Sequence, residues 1–355
     1  MKVGIVGAGL QGRRRAQALK VVDGSELMIV ADVRQDAAAA LAADAGCVAT
    51  SQWEDVVARD DVEALIVCTP PHLHAQIGIA AMEMGKHVLC EKPLARNVDE
   101  GREMLRAARE SGVRLKCGFN LRHHPAIRQV RQWYEAGNIG EIDWIRCRYG
   151  IGGRPGYAQE WRAQAEVSGG GQLMDQGIHL LDLCRWFLGD FAEVFGFVAT
   201  RFWDIAPLED NAFALLRTGQ GQIASLHASW TEWKPLFSFE VFGHDGYVTV
   251  EGLGGAYGSE RAVLGRRDFD APFSEETVEF RGADRSWEEE WREFVSAIRE
   301  GREPSASGED GLAAIELAQG IYESARPGKT AGSAALASGP QPSPKAEFMA
   351  GSQWC

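Results

Sequence analysis

Apolar residues in the first third of the chain come in short runs, each closed by a polar or glycine-rich turn and followed by a longer amphipathic stretch. Val3–Val6 runs into Gly7-Ala8-Gly9-Leu10-Gln11-Gly12 and then Arg13–Lys20, and Leu27–Ala31 is followed by Asp32 and the alanine-rich Gln35–Ala45. A short strand near Val48 and a helix around Trp53–Ala58 come next. Ala64–Cys68 then ends in Thr69-Pro70-Pro71-His72-Leu73-His74, ahead of a helix over Ala75–Met84. Gly85–Cys90 ends in Glu91-Lys92-Pro93, and after a helix over Asp99–Ser111, Arg114–Phe119 ends in Asn120-Leu121-Arg122. Runs this short, bounded by turn residues, read as buried strands, and strands alternating with helices predict a parallel, doubly wound α/β sheet.

From Ile142 the texture changes to alternation, in Trp144–Tyr149, Asn211–Arg217, Gln222–Ser229, Phe237–Phe242 and Tyr247–Glu251. Alternation of this kind predicts a large, mostly antiparallel open sheet with one covered face, in an α+β domain. A helical insertion, Gly171–Leu188, places its apolar positions against that sheet and puts Asp175 and His179, four residues apart, on one helical face. Ser286–Phe294 reads as an amphipathic helix with Trp287, Trp291 and Phe294 on its packing face, and a last helix covers Gly308–Ala325. The expected division is 1–122 for a nucleotide-binding unit, 123–330 for a substrate-binding and oligomerisation unit, and 331–355, rich in Ala, Ser, Gly and Pro, for a flexible tail.

A chain of 355 residues has room for two domains, and its net charge of -13 and pI near 5.2 argue against a nucleic-acid partner. Seven scattered cysteines without a CxxC pair indicate neither a disulfide framework nor a zinc site. No apolar run approaches the roughly 20 residues of a membrane span, and Val3–Gly7 follows the first residues without a leader pattern, so a soluble cytoplasmic protein is expected.

The candidate chemistry lies at the strand ends, because ligands of open α/β sheets bind beyond the carboxyl ends of the strands. Strand, GxGxxG turn and helix together are the Rossmann arrangement. Gly7 allows the tight turn, Gly9 the approach of a pyrophosphate and Gly12 close helix packing, while the helix N-terminus faces the phosphates. Asp32, twenty residues after Gly12, falls where such folds place the acid that receives the adenosine ribose. It favours NAD; Arg34 leaves NADP possible. Thr69, Pro70, Glu91, Lys92 and Asn120 line the same crevice, and His74 is a candidate for cofactor contact or for a structural role at its helix. Asp175, His179 and Asp182 are a possible metal set, but the inferred chemistry needs none, and no metal is expected.

In order along the chain, the glycine turn, Thr69-Pro70 with His74, Glu91-Lys92-Pro93, Gly118-Phe119-Asn120 with Arg122, Trp161-Arg162, Gly169-Gly170-Gly171 and Asp175-Gln176-Gly177-Ile178-His179 resemble the glucose-fructose oxidoreductase/inositol dehydrogenase family, Gfo/Idh/MocA. Pro71 stands where many members carry asparagine. The resemblance implies that Lys92 and His179 are the catalytic pair with Asp175 beside them, and that the reaction is hydride transfer between nicotinamide and a secondary alcohol of a sugar, sugar derivative or cyclitol. His179 would handle the proton and Lys92 the oxyanion. Cofactor contacts are expected from Gly7, Gly9, Leu10, Gln11, Gly12, Asp32, Arg34, Thr69, Pro70, His74, Glu91, Lys92, Asn120, Trp161 and Arg162. Substrate contacts are expected from Lys92, Arg122, Tyr149, Tyr157, Trp161, Asp175 and His179. A homo-oligomer, dimer or tetramer, is also implied. Two alternatives stay open: an enzyme with tightly held NAD that eliminates or hydrolyses glycosides through transient oxidation, and a non-catalytic dinucleotide sensor.

Overall fold

The computed structural model describes residues 1–269 and 274–326. Its first part alternates β1 (Lys2–Val6), α1 (Leu10–Val21), β2 (Glu26–Ala31), α2 (Gln35–Ala45), β3 (Val48–Thr50), α3 (Trp53–Val57), β4 (Ala64–Val67), α4 (His74–Glu83), β5 (His87–Cys90), α5 (Val98–Ser111) and β6 (Leu115–Cys117). These strands form a six-stranded parallel sheet in the order β3-β2-β1-β4-β5-β6. The order reverses between β1 and β4, the switch point where such sheets open a crevice. Register aligns the strand ends: Val6 pairs with Val67, Val67 with Cys90 and Cys90 with Cys117, so the turns after β1, β4, β5 and β6 emerge side by side.

The second part begins with α6 (Pro125–Glu135) and β7 (Ile142–Gly150). It continues through α7 (Ala165–Ser168), a π-helical turn (Leu173–Gly177), α8 (Ile178–Leu188), β8 (Phe191–Ala199), β9 (Asn211–Thr218), β10 (Ile223–Ser229), β11 (Leu236–Gly243), β12 (Gly246–Glu251), β13 (Glu260–Arg266) and β14 (Ser274–Phe280). The eight strands run β14-β13-β12-β11-β7-β10-β9-β8, antiparallel except for β7 beside β10. The alternation read from the sequence marks five of them; β8, β13 and β14 extend the sheet at its two edges. On β14 the glutamates of Ser-Glu-Glu-Thr-Val-Glu-Phe are exposed on both sides, which hides the period.

Two more helices follow, α9 (Ser286–Glu300) and α10 (Gly308–Ser324). One face of the large sheet is covered by α6, α8 and α10. The other carries rows of residues in register: Phe197, Phe213 and His227; Phe195, Leu215 and Ser225; Arg217, Ile223, Trp144 and Phe242. Trp144, Phe197, Phe213, Leu215 and Ile223 on this face are 38–56% exposed. The α9 helix folds back onto the first sheet, where Trp291 and Phe294 pack with Val3, Ile5, Leu19 and Ile66. Trp287 departs from the predicted packing face and lies against the Arg14 guanidinium, 4.5 Å from its ring centre. The tail expected over 331–355 lies outside the described residues. Among the described residues no helix is long and apolar enough to cross a membrane.

Candidate active site

At the turn after β1, packing dictates two of the glycines. Gly7 has φ 104°, and a Cβ there would stand 2.6 Å from the Cys68 carbonyl; at Gly12 a Cβ would stand 1.9 Å from the Gly7 carbonyl oxygen. Gly9 is different, because a Cβ there meets nothing within 4 Å and its backbone is open to a large cavity. Asp32, just beyond β2, accepts from Ala8 N at 2.7 Å and from Arg34 N at 2.9 Å, which holds its carboxylate at the same cavity wall. The Arg34 guanidinium stays exposed, 3.7 Å from that carboxylate. Gln11 Oε1 and Thr69 Oγ1 are buried without a hydrogen-bond partner among the described residues. Orphaned polar atoms beside an open glycine backbone and a helix N-terminus are what a bound dinucleotide would satisfy, so these residues fit that cofactor.

Three arginines stand in the first half of α1, and one of them is buried. Arg15 is buried; its Nε donates to Glu91 at 2.8 Å and its NH1 to Glu290. Burial works against its charge, but the two carboxylates outweigh that and raise its pKa. Glu91 therefore serves as the ion-pair partner that ties α1 to the end of β5, while one edge of it faces the cavity. Asn120, also at the cavity wall, donates to Ser286 Oγ at 2.8 Å. His74 does not line the cavity. Its ring nitrogens lie 2.9 Å from the Pro93 carbonyl and 2.8 Å from the Thr69 carbonyl, so it clamps two strand-end turns together, and its reading as a cofactor contact gives way to this structural one.

Across the crevice, Lys92 Nζ donates to Asp175 Oδ1 at 2.9 Å and also to the Asp175 carbonyl. Arg162 Nε sits 3.5 Å from the other Asp175 oxygen and stacks on Trp161, 4.3 Å from its centre. Burial pushes the Asp175 carboxyl up, but Lys92 and Arg162 more than offset it and hold it at about 2. His179, 5% exposed, faces the opposite influence: burial first, and then the charge of Lys92, drive its pKa well below the ordinary imidazole value, against the pull of Asp175. Phe119 and Tyr149 stand edge-on to its ring at 5.7 and 6.1 Å. Among the described residues no hydrogen bond reaches its Nδ1.

The segment bearing these groups is not a plain α-helix. Asp175 belongs to the π-helical turn and His179 to α8, so the two are not joined by the regular α-helix predicted for them. Glu209 anchors this turn by accepting from Gly171 N at 3.2 Å, Leu173 N at 2.9 Å and the Tyr322 hydroxyl at 2.8 Å. The close approach that Gly169 and Gly171 permit is to the protein's own backbone. A Cβ on the first would lie 2.6 Å from the Arg96 carbonyl oxygen, and on the second 2.2 Å from that of Glu209.

One cavity of about 1120 Å³ joins both halves, more than the roughly 300–1,000 Å³ of a pocket for one drug-sized ligand. Gly7, Gly9, Leu10, Gln11, Asp32, Arg34, Thr69, Pro70, Glu91, Lys92, Asn120, Tyr149, Tyr157, Trp161, Arg162, Asp175 and His179 line it, whereas Gly12 lies beneath the turn. Arg122 does not reach it. It is buried, with Nε and NH2 bonded to Asp182 at 2.9 and 2.5 Å and NH1 3.2 Å from Asp310, so its expected place in the substrate pocket is corrected to a core ion pair. The cavity is also lined by Gln176 and Trp287, and by His124, Tyr257 and Asp284, which no local pattern sets apart.

A doubly wound sheet with an open glycine turn, an acid after the second strand, and a strand-end lysine facing a buried histidine on α8 defines a NAD-binding oxidoreductase. Residues 1–119 match the oxidoreductase family with NAD-binding Rossmann fold, and residues 127–249 match the GFO/IDH/MocA C-terminal domain. The chain belongs to the GFO/IDH/MocA family of oxidoreductases. It is 30% identical over 341 residues to the 1,5-anhydro-D-fructose reductase of Ensifer adhaerens, covering 92% of this chain and 97% of that protein. With the levoglucosan dehydrogenase of Pseudarthrobacter phenanthrenivorans it shares 32% identity over 235 residues, covering 62% of this chain and 60% of that protein. A solved levoglucosan dehydrogenase in complex with NADH superimposes with a TM-score of 0.84 at 26% identity, covering 92% of this chain and 96% of that one.

Proposed function

We propose that the protein interconverts a secondary alcohol and a ketone on a sugar, sugar derivative or cyclitol, with NAD as redox partner. The observation that carries this reading is the Lys92–Asp175 pair beside a buried, neutral His179 in a cavity large enough for cofactor and substrate together. A bound nicotinamide supplies the two-electron acceptor. His179, kept neutral by its surroundings, takes the proton from the substrate hydroxyl, and in reduction returns it. Lys92 donates to the same oxygen and stabilises the negative charge that develops there. Asp175 stays ionised at any working pH, so it orients the Lys92 ammonium and does not itself act as a proton donor. Tyr149, Tyr157 and Trp161 supply aromatic walls for a sugar ring, and Asp32 receives the adenosine ribose. A sugar-derived substrate agrees with the relatives named levoglucosan dehydrogenase and 1,5-anhydro-D-fructose reductase.

We divide the chain into a cofactor-binding unit, 1–122, and a substrate-binding unit, 123–330. The uncovered sheet face, with five large apolar side chains at 38–56% exposure, supports a homo-oligomer joined through that face. Free thiols at Cys47, Cys68, Cys90, Cys117, Cys147 and Cys184 agree with the cytoplasm.

The test is absorbance in the NADH band with purified protein, NAD and a panel of levoglucosan, myo-inositol and common aldoses. Net NADH formation with at least one polyol is expected. Product without net NADH would favour the glycoside-cleaving alternative, and no turnover with any of them would remove the dehydrogenase reading.

A further inference from the structure

One guanidinium at the cavity has no carboxylate to face. Lys92 and Arg162, which line the cavity, meet Asp175 at 2.9 and 3.5 Å, Arg154 meets Glu160 at 2.7 Å, and Arg34 stands 3.7 Å from Asp32. Arg14 lines the same cavity and has no ion pair or hydrogen bond among the described residues. It lies instead on the Trp287 ring, 4.5 Å from the ring centre. An indole beneath a guanidinium attracts it and holds it in place, yet leaves free the N–H donors that lie in the guanidinium plane.

The position of Arg14 says what those donors are for. It stands on α1 one turn after Leu10 and Gln11, and all three face the cavity. A helical side chain covers the turn N-terminal to its own Cα. For Arg14 that turn adjoins Gly9, whose backbone is open. The first turn of α1 holds no acidic residue, so the partial positive charge of the helix end is left uncancelled there. A pyrophosphate at this turn carries full negative charge, against which the helix end sets only N–H groups and a partial charge. The neighbouring arginines add little: Arg15 is neutralised by Glu91 and Glu290, and Arg13 does not line the cavity. Arg14 is the full positive charge available at the glycine turn.

We propose that Arg14, held against Trp287, is a ligand of the dinucleotide pyrophosphate, with Trp287 as its positioning residue. A guanidinium fork matches two phosphate oxygens at once, and a stacked one gives up less freedom in doing so. The ring comes from α9, at the far end of the described chain, so cofactor affinity depends on a contact that the glycine motif does not contain. NAD and NADP share the pyrophosphate, so this contact strengthens both alike. It rests on the dinucleotide reading of the cavity and names the residues that complete it.

The experiment titrates the full chain as wild type, Arg14→Met, Trp287→Phe and Trp287→Leu with NADH and NADPH by fluorescence, and with ADP-ribose and adenosine by displacement of NADH, at low and raised salt. Arg14→Met is expected to weaken NADH and ADP-ribose by roughly 10- to 100-fold, since charge-assisted hydrogen bonds are lost, and to leave adenosine within about threefold. The salt dependence of NADH affinity should flatten, which a merely structural role would not produce. Trp287→Leu should weaken the same two ligands by roughly three- to tenfold, and Trp287→Phe, which keeps a ring face, should restore most of that loss. Arg14 is exposed, so its replacement leaves the fold intact, and it decides alone if a Trp287 variant does not fold. NADH affinity within about threefold of wild type in Arg14→Met overturns the proposal, as does an equal loss on adenosine. A changed ratio of NADPH to NADH affinity overturns it by placing the guanidinium at a 2′-phosphate, and a raised substrate KM at unchanged NADH affinity by assigning it to the substrate. A wild type that binds neither NADH nor ADP-ribose overturns the dinucleotide reading along with it.

Discussion

The Lys92 ammonium meets the Asp175 carboxylate at 2.9 Å although 83 residues separate them, one at the end of a parallel strand and the other in a π-helical turn of the second unit. Replacing Lys92 by Met removes the donor to the developing oxyanion and leaves Asp175 beside Arg162 alone. Turnover should fall by about a hundredfold or more, while NADH binding by fluorescence changes by no more than about threefold. A variant within a few fold of wild type in kcat would show that Lys92 only positions Asp175.

The depressed pKa of His179 sets the pH behaviour. The ring remains a base down through the ordinary imidazole range, so kcat/KM for oxidation should be flat from about pH 8 to below about pH 6.5 and fall only at lower pH. The sign for stability follows from the same depression. The unfolded chain takes up this proton near about pH 6.5 and the folded one does not, so the stability it contributes is present above that pH and is lost on acidification. An activity limb centred at or above about pH 7 would contradict the assignment; His179→Gln should abolish the limb along with most of the turnover.

Asp32 is held at the cavity by two backbone donors and still has lone pairs for a ribose. Asp32→Ala should raise the KM for NAD by roughly tenfold or more and narrow the preference over NADP, since a charge-assisted hydrogen bond is lost and a repelling carboxylate is removed. An unchanged cofactor ratio would place the ribose contact elsewhere.

Arg122 tests the distinction between pocket and core. Burial lifts the Asp182 carboxyl to about 6 even against the pull of Arg122. In Arg122→Met that pull is gone, and a buried carboxylate without its partner costs about 3–5 kcal/mol. The loss should grow as pH rises above the ordinary carboxylate range and shrink in acid, where Asp182 can be protonated. Denaturant unfolding at two pH values measures it. A stable variant with raised substrate KM would return Arg122 to the substrate pocket.

Leu215 and Ile223 lie on the uncovered sheet face. The double change Leu215→Glu and Ile223→Glu should reduce the solution mass in light scattering to that of one chain, with less than about 1 kcal/mol lost from each exposed position. A wild type that is already monomeric would remove the proposed interface.

Much of this was legible without coordinates because it is local. Strand, glycine turn and helix around Gly7–Gly12, the acid at Asp32 and the polar strand ends at Thr69, Glu91 and Asn120 follow from runs and spacing, since a parallel sheet buries its strands and leaves chemistry to their carboxyl ends. Motif resemblance singled out Lys92, Asp175 and His179. The meaning of single charged residues was not legible. Arg122 and Arg162 look alike in a sequence, yet one is sealed against Asp182 and the other stands beside Asp175 at the cavity. Likewise, the glycine loop Gly169–Gly171 implies a close backbone approach, and only the fold shows that it is to Arg96 and Glu209. Local pattern determined which segments are strands, helices and strand-end turns. Only the tertiary structure decided which side chains share the cavity and with which charges, because burial and Coulomb interactions depend on distance through space, and chain order records that only within a helical turn or a strand pair.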